Sequence, residues 1–293
     1  MTTHATRPLT SATAISDAYA LADGAAIRAG VSVRLLDDND ELRTAAETLA
    51  SIWGTQPGAY PVAADMMRAL LHCESYIAGV FSEGVMVGAS VGFLSGISQL
   101  ALHSHITGLL DTHRNTGAGF AVKIHQRAWA IERGIDEIAW TFDPLQRRNV
   151  YFNVTKLGAR VAKYYPDFYG EMRDSINVGD RSDRLLAKWE INSPRVVTAL
   201  DGKHFEAVEI DNSGQDERIM LGIEPGGRPR VISELGTHVF VPSEFSALRA
   251  ADPQTGLAWR LAIRDAFTRQ HAMGRELAVV TPTGWYVFQE ATV

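Results

Sequence analysis

Two short stretches of this 293-residue chain bring together groups that could do chemistry. The first is His113-Arg114-Asn115-Thr116-Gly117-Ala118-Gly119, an Arg-x-x-Gly-x-Gly segment between an apolar, strand-like run and a helical run. Without a Cβ, Gly117 and Gly119 let the backbone take positive φ and come close to a ligand, while the first N–H groups of the following helix lack partners within it. Those donors, with the positive end of the helix dipole behind them, suit an anion, and a diphosphate fits. The second stretch is His103 and His105, two apart on the strand that enters the loop, so both rings face the same way. An imidazole there is suited to taking up a proton near neutral pH.

Other phosphate loops fit less well. A dinucleotide fold wants a third glycine and places its loop after the first strand of a parallel unit, whereas Gly117-Ala118-Gly119-Phe120-Ala121-Val122 lacks the glycine and follows several antiparallel-looking strands. A Walker loop ends in Gly-Lys-Ser/Thr, and Gly119-Phe120-Ala121 has neither the lysine nor the hydroxyl. A tight turn without a ligand is the plain alternative. Gly88-Ala89-Ser90-Val91-Gly92 also matches the Gly-x-Ser-x-Gly elbow of a serine hydrolase, with Asp143 and then His204, His238 or His271 following in the usual order. Yet Val85 to Phe93 is strand-like throughout and leads to a loop, where an elbow needs a helix. His103 and His105 as a metal pair lack a third ligand nearby, so no metal is expected.

Several elements must position these groups. Val31 to Leu36 reads as a strand, with Asn39 capping a helix from Asp40 to Trp53 and a second helix from Pro61 to Cys73. Strands at Tyr76 to Phe81 and Val85 to Phe93 flank the turn Ser82-Glu83-Gly84, and Leu102 to Leu110 delivers the chain into the glycine loop. The helix Gly117 to Arg133 has Phe120, Ile124, Ala128 and Ile131 on one face and Lys123, Arg127 and Glu132 on the other. Then come a strand at Glu137 to Phe142, a helix at Arg147 to Leu157 stopped by Gly158, an extended run at Ala159 to Tyr165 and a strand at Leu185 to Trp189. Composition shifts at Asn192-Ser193-Pro194. Beyond it lie short strands, a helix from Thr255 to Met273 and a hairpin at Thr283-Gly284.

Composition narrows the class. With 46% hydrophobic and 21% charged residues and a net charge of −6, the chain reads as a soluble globular protein that does not bind nucleic acid. The lone Cys73 cannot make an internal disulfide and is expected to be buried and inert. The first 30 residues read as a flexible segment; Asp17 and Asp23 and the lack of an apolar core argue against a signal peptide. No apolar run approaches the roughly 20 residues that span a bilayer, so no membrane partner and a cytoplasmic location are expected.

The element order of strand, two helices, three strands, glycine loop, helix, strand, helix and strand resembles the GNAT acyltransferase superfamily. Its acyl-CoA loop is Gln/Arg-x-x-Gly-x-Gly/Ala, and Arg114, Gly117 and Gly119 match all three fixed positions. Trp140-Thr141-Phe142-Asp143-Pro144-Leu145, Asn149-Val150-Tyr151-Phe152-Asn153, Lys156-Leu157-Gly158-Ala159 and Tyr164-Tyr165-Pro166-Asp167-Phe168-Tyr169-Gly170 are similar to a branch with long C-terminal extensions, as, more weakly, are Trp259-Arg260 and Arg264. Some relatives in that branch are amino-acid N-succinyltransferases.

The resemblance implies an α+β fold in α/β/α layers, with a mixed, largely antiparallel sheet whose central strands splay apart to admit the pantetheine arm. It places an acyl-CoA-binding catalytic domain at 31–191 and a smaller α+β extension at 195–293, which closes the acceptor site or forms a homodimer interface. It implies an N-acyltransferase that moves acetyl, succinyl or a similar group from acyl-CoA to a small-molecule amine such as an amino acid, by direct attack on the thioester. Leu109, Arg114, Asn115, Thr116, Gly117, Ala118, Gly119 and Asn149 would bind the coenzyme. His105 would be the base, Asp143 would hold the ammonium or orient a histidine, and Tyr151, a tyrosine of 164–169 or solvent would supply the leaving-group proton. Many GNAT enzymes keep a tyrosine for that proton four residues before the glycine of Lys-x-Gly, where this chain has Val154. Tyr164, Tyr165, Phe168 and Tyr169 would wall the acceptor pocket, and Arg147, Arg148, Arg260 and Arg264 are candidate cations for an acidic acyl tail. A GNAT-like protein that binds acyl-CoA without turnover is the alternative.

Overall fold

The computed structural model describes residues 11–56, 58–95, 100–170, 180–203 and 216–291. Of these, the residues up to Trp140 form one compact unit and those from Thr141 onward form another.

In chain order the first unit contains α1 (Ala12–Arg28), β1 (Ser32–Leu35), α2 (Asn39–Trp53), α3 (Ala64–His72), β2 (Tyr76–Ser82), β3 (Val85–Ser95), β4 (Ala101–Leu109) and α4 (Ala118–Glu132), and most of β5 (Glu137–Phe142). Asp38, rather than Asn39, caps α2 by accepting from the amides of Asp40 and Glu41, and Gly54 closes the helix in the left-handed region. Leu42, Ala45, Ala46 and Leu49 recur at helical spacing and are buried. Cys73 falls just after α3 and is exposed, because the helix ends before its side chain can join the buried face.

The strands line up in the order β1-β2-β3-β4-β5. The first four are antiparallel to their neighbours, while β5 runs parallel to β4. One apolar cluster joins α2 and α3 to Ile77, Ala89 and Val91 of the sheet. A separate cluster joins α1 and α4 to Val80 and Val87. The expected α+β class, with helices on both faces of a largely antiparallel sheet, is what the chain forms.

Residues 12–28 depart from the flexible segment expected there. They form a helix capped by Ser11, and Ala18, Ala22, Ala25 and Ala26 are buried. Small side chains let α1 lie close against α4. This changes α4 as well: Lys123 is buried and Arg127 half-buried, instead of sharing a solvent face with Glu132. A helix covered by the sheet on one side and by α1 on another has little open face left.

The second unit contains α5 (Arg147–Tyr151), which runs on into a π turn at Phe152–Lys156, then β6 (Arg160–Tyr165), β7 (Arg184–Glu190), α6 (Pro194–Leu200), β8 (Ile219–Ile223), β9 (Pro229–Val231), β10 (His238–Phe240), α7 (Phe245–Ala251), α8 (Pro253–Ala272), β11 (Arg275–Val280) and β12 (Trp285–Glu290). β6 and β7 form an antiparallel ladder, and a five-stranded sheet has the order β11-β12-β10-β8-β9.

The division falls inside β5, not at Asn192-Ser193-Pro194. Polar ties explain this. Arg260 of α8 binds Asp143 and Asp180, Arg264 binds Asp183, and the Tyr286 hydroxyl donates to the Pro144 carbonyl at 2.8 Å. Arg195 donates to the carbonyls of Gly158 and Ala278 at 3.1 and 2.9 Å. Segments expected to complete the first domain are thus held by the C-terminal part of the chain.

Candidate functional site

The loop after β4 turns through Asp111–His113, extends at Arg114 and enters the left-handed region at Asn115 (φ 65°) and Gly117 (φ 96°) before α4 starts. Gly117 is needed for its φ: a Cβ there would meet only Ala29, at an ordinary 3.6 Å. Gly119 differs from expectation, since it lies in α4 without a positive φ, and its Cβ would meet nothing nearer than Leu109, at 3.8 Å. The protein's own packing gives no reason for glycine at 119. Gly117 has no side chain to cap the helix; Thr116 Oγ1 donates to the His113 carbonyl and accepts weakly from the Ala118 amide at 3.4 Å. Arg114 is exposed and pairs with exposed Asp111 at 2.9 Å, a contact that holds the guanidinium only loosely. The loop therefore offers a cation, a helix N-terminus and open space above Gly119.

β4 pairs with β3 along its length, from Ala101 to Leu109. With β5 it pairs only at Leu102↔Ile138 and His103↔Ala139. From Ser104 to Leu109 that edge of β4 meets no described strand of its unit, so the two parallel strands part as expected. The β3–β4 register skips one residue: Val91 faces Ile106 and Gly92 faces Ser104, leaving His105 as a bulge. Such a bulge re-aims backbone and side chain beside a site. The His105 ring lies 5.6 Å from that of Phe93 and 6.2 Å from that of His103, with its residue still exposed. Crowding by these neighbours pushes the His105 pKa down, and burial followed by the charges of His105 and Lys123 does the same for His103. Both rings stay neutral at neutral pH, the form a base needs.

Lys123, read from the sequence as a polar-face residue of α4, is buried against β4 and β5. Its Nζ donates to Ser104 Oγ at 2.9 Å and to Gln126 Oε1 at 3.2 Å, and lies 3.9 Å from the centre of the Trp140 ring. Burial, with no carboxylate among the described partners, lowers its pKa to about 7. Gln126 is fully buried, and its Nε2 is without a described hydrogen-bond partner. The available signal was a lysine and a glutamine within three residues of each other on a helix whose other positions are mostly apolar.

The second unit carries Asp143, Asn149 and Tyr151. Asp143 is not open to an ammonium: Arg260 grips its carboxylate at 2.5 and 2.9 Å, and Oδ1 accepts from the Leu145 amide at 2.9 Å. It is a structural turn aspartate bound to a buried arginine. Asn149 is exposed on α5, and Tyr151 is half-buried with Lys156 Nζ 5.8 Å from its ring centre. Tyr164 donates to Asp183, while Phe168 and Tyr169 are exposed and pack edge to face. Arg260 and Arg264 are bound to aspartates and are thereby lost as cations for an acidic acyl tail; Arg147 Nη1 donates to the Thr283 carbonyl.

Ser90 is no hydrolase nucleophile. It is fully buried in mid-strand, its Oγ 2.8 Å from Thr107 Oγ1, and a Cβ on Gly88 would come within 2.5 Å of the Gly108 carbonyl of β4. The flanking glycines admit the neighbouring strand. His204 lies outside the described residues. Among the described residues no group of three or more His, Cys, Asp or Glu could hold a metal ion, and no helix is long and apolar enough to cross a membrane.

No family model and no curated protein matches the chain. Solved structures align with a little over half of it. FeeM, an N-acyl amino acid synthase from uncultured soil microbes, shares 13% identity over 58% of this chain and 96% of its own, with a TM-score of 0.45. The putative acetyltransferase yncA from Salmonella typhimurium, solved with acetyl-CoA, shares 11% over 56% and 95%, with a TM-score of 0.45. The ribosomal-protein-S18-alanine N-acetyltransferase from Escherichia coli shares 12% over 56% and 95%, with a TM-score of 0.44.

Proposed function

We propose that this chain is an acyl-CoA-dependent N-acyltransferase that moves an acetyl, succinyl or similar group to the amine of a small molecule such as an amino acid. The observation that supports this reading is the juxtaposition, within one unit, of a glycine loop at a helix N-terminus and an unpaired strand edge. The 114–119 loop and the N-terminus of α4 take the coenzyme's diphosphate, with Arg114 as its cation and Gly119 leaving room for its oxygens. The pantetheine arm lies along the free edge of β4 from Leu109 towards Ser104, its amides bonding to main-chain groups as an added strand would. His105, neutral and exposed at the bulge, takes the proton of the attacking amine. The amine attacks the thioester carbon directly, with no acyl-enzyme.

Titration calorimetry with acetyl-CoA and succinyl-CoA tests the binding. Arg114→Ala combined with Gly119→Asp is expected to weaken coenzyme binding at least about 100-fold, or about 2.7 kcal/mol, by removing a cation and placing a carboxylate at the diphosphate. Unchanged affinity would overturn the assignment. A thiol-release screen of both donors against amino acids and simple amines then separates an enzyme from a binding protein.

A further inference from the structure

The last paired residues of β4 and β5 are His103 and Ala139, and the next residue on each strand is Ser104 and Trp140. Lys123 touches both, through Ser104 Oγ and the face of the Trp140 ring. Its amine therefore sits where the two strands begin to part. Beside it lies the unpartnered Nε2 of Gln126, close to Gly92, where a Cβ would be 3.5 Å away. A lysine buried without a carboxylate is an expensive way to fill space that an apolar side chain could occupy. Two acceptors and an aromatic face steady the ammonium there, and burial offsets that enough to bring its pKa to about 7.

This position matches the reach of the coenzyme. Five residues of β4 separate Leu109, next to the loop, from Ser104, a span of about 17 Å at the rise of an extended strand. The arm between diphosphate and sulfur has about twelve bonds, or about 14 Å when extended. A coenzyme held at Gly117–Gly119 thus brings its sulfur close to the level of Ser104 and Lys123.

We propose that Lys123 is the general acid that protonates the departing CoA thiolate, the task for which this chain has Val154 in place of a tyrosine. The inference rests on the acyl-CoA transfer reading above. The acceptor nitrogen bonds to the thioester carbon, whose carbonyl electrons move to oxygen. The tetrahedral adduct then collapses and the C–S bond breaks, its electron pair going to sulfur. Sulfur takes a proton from the Lys123 ammonium, while the proton lost by the acceptor nitrogen goes to His105. Once the thiol leaves, Lys123 regains a proton from water that enters where β4 and β5 part, and His105 returns one to solvent, so amine and thioester become amide and thiol. A lysine with an ordinary pKa near 10.4 would hold its proton more tightly than a thiol near 8.5, whereas a depressed one gives it up.

Apart from His103, the titratable groups named here around α4 have partners other than Lys123. His103 of β4 registers the Lys123 charge in its own titration. His125 is bonded to Tyr76 of β2 and influenced by Asp23 of α1; Tyr19 of α1 is bonded to Glu132, and Arg34 of β1 to Glu41. Arg127 of α4 and Glu137 of β5 have partners of their own.

The test compares wild type, Lys123→Met and Lys123→Arg by acetyl-CoA calorimetry and by the pH profile of kcat for thiol release. Both variants are expected to bind acetyl-CoA within about threefold of wild type and to release thiol about 100-fold more slowly. The arginine variant fails because guanidinium does not give up a proton near neutrality. The wild-type profile should fall as pH rises through the neutral range, with that limb gone in both variants. Wild-type rates in either variant, or a limb that survives in Lys123→Met, would overturn the proposal. A wild-type chain that binds acetyl-CoA but turns over no amine also overturns it while leaving the binding site standing, whereas no acetyl-CoA binding removes the acyl-CoA reading itself.

Discussion

Lys123 in the first unit and Arg260 in the second are both long cations withdrawn from water, and they are handled in opposite ways. Arg260 is fully buried and meets carboxylates on two sides: Asp143 at 2.5 and 2.9 Å, and Asp180 at 2.5 Å from Nη2. Burial alone would disfavour its charge, yet the two aspartates raise its pKa above the ordinary value. Lys123 has a hydroxyl, an amide oxygen and an indole face, and burial wins. Arg260 is neutralised in place and ties α8 to the segment after β5. Lys123 is kept close to the balance between its two protonation states. Full compensation makes a strut, and incomplete compensation leaves a proton free to move.

One substitution applied to both sites should separate them most strongly. Arg260→Met strands Asp143 in a largely buried setting and leaves Asp180 to Arg249 alone, 3.1 Å away, and is expected to cost about 3–5 kcal/mol, read from chemical denaturation; a loss under about 1 kcal/mol would mean that Asp143 relaxes to solvent.

Lys123→Met should act with the opposite sign. At about 1.4 kcal/mol per pKa unit, the drop from the ordinary value to about 7 costs the folded state at most about 5 kcal/mol, and loss of the bonds to Ser104 and Gln126 offsets part of the gain. A net stabilisation of about 1–3 kcal/mol at pH 7 is expected. Between the ordinary lysine pKa and pH 7 the unfolded chain holds a proton that the folded chain does not, so wild-type stability falls as pH drops through that window and levels off below it. The advantage of the methionine variant should accordingly be largest at pH 7 and fade towards pH 10. A variant less stable than wild type at pH 7, with a difference independent of pH, would show that Lys123 is paired after all.

The smallest effect is expected at Gln126. Its Nε2 is already unsatisfied, so Gln126→Leu removes a buried orphan along with one acceptor for Lys123, and stability should change by less than about 1 kcal/mol. A larger loss would reveal a partner for Nε2, and the comparison would then lose its uncompensated side.

Much of the architecture could be read from local sequence signals. Gly117 had to be where φ is positive, the alternating and apolar runs gave β2 to β5, and Gly274 closes α8 as the pattern of its residues suggests, while Asp252 caps it slightly earlier than the Thr255 start read from the sequence. The parting of β4 and β5 came through family resemblance, since no local residue encodes where a ladder stops. What escaped was decided by long-range packing. Lys123 looked like a solvent-facing helix residue because charge normally marks an exposed face, and the Ala-rich segment 12–28, which helps to cover α4, looked too weakly apolar to pack. Asp143 could be read equally well as turn or site, and the choice was made by Arg260, more than a hundred residues away. The boundary within β5 was hidden for the same reason.

The free edge of β4 also bears on how the protein behaves when no donor is present. A run of unpaired main-chain donors and acceptors is a template on which a strand from another molecule can build. An arm lying along Ser104 to Leu109 would occupy that template and act as a guard against self-association. On the acyl-CoA reading, the coenzyme would cover this edge as well as react, and a chain without it would be the one more prone to pair with a second copy.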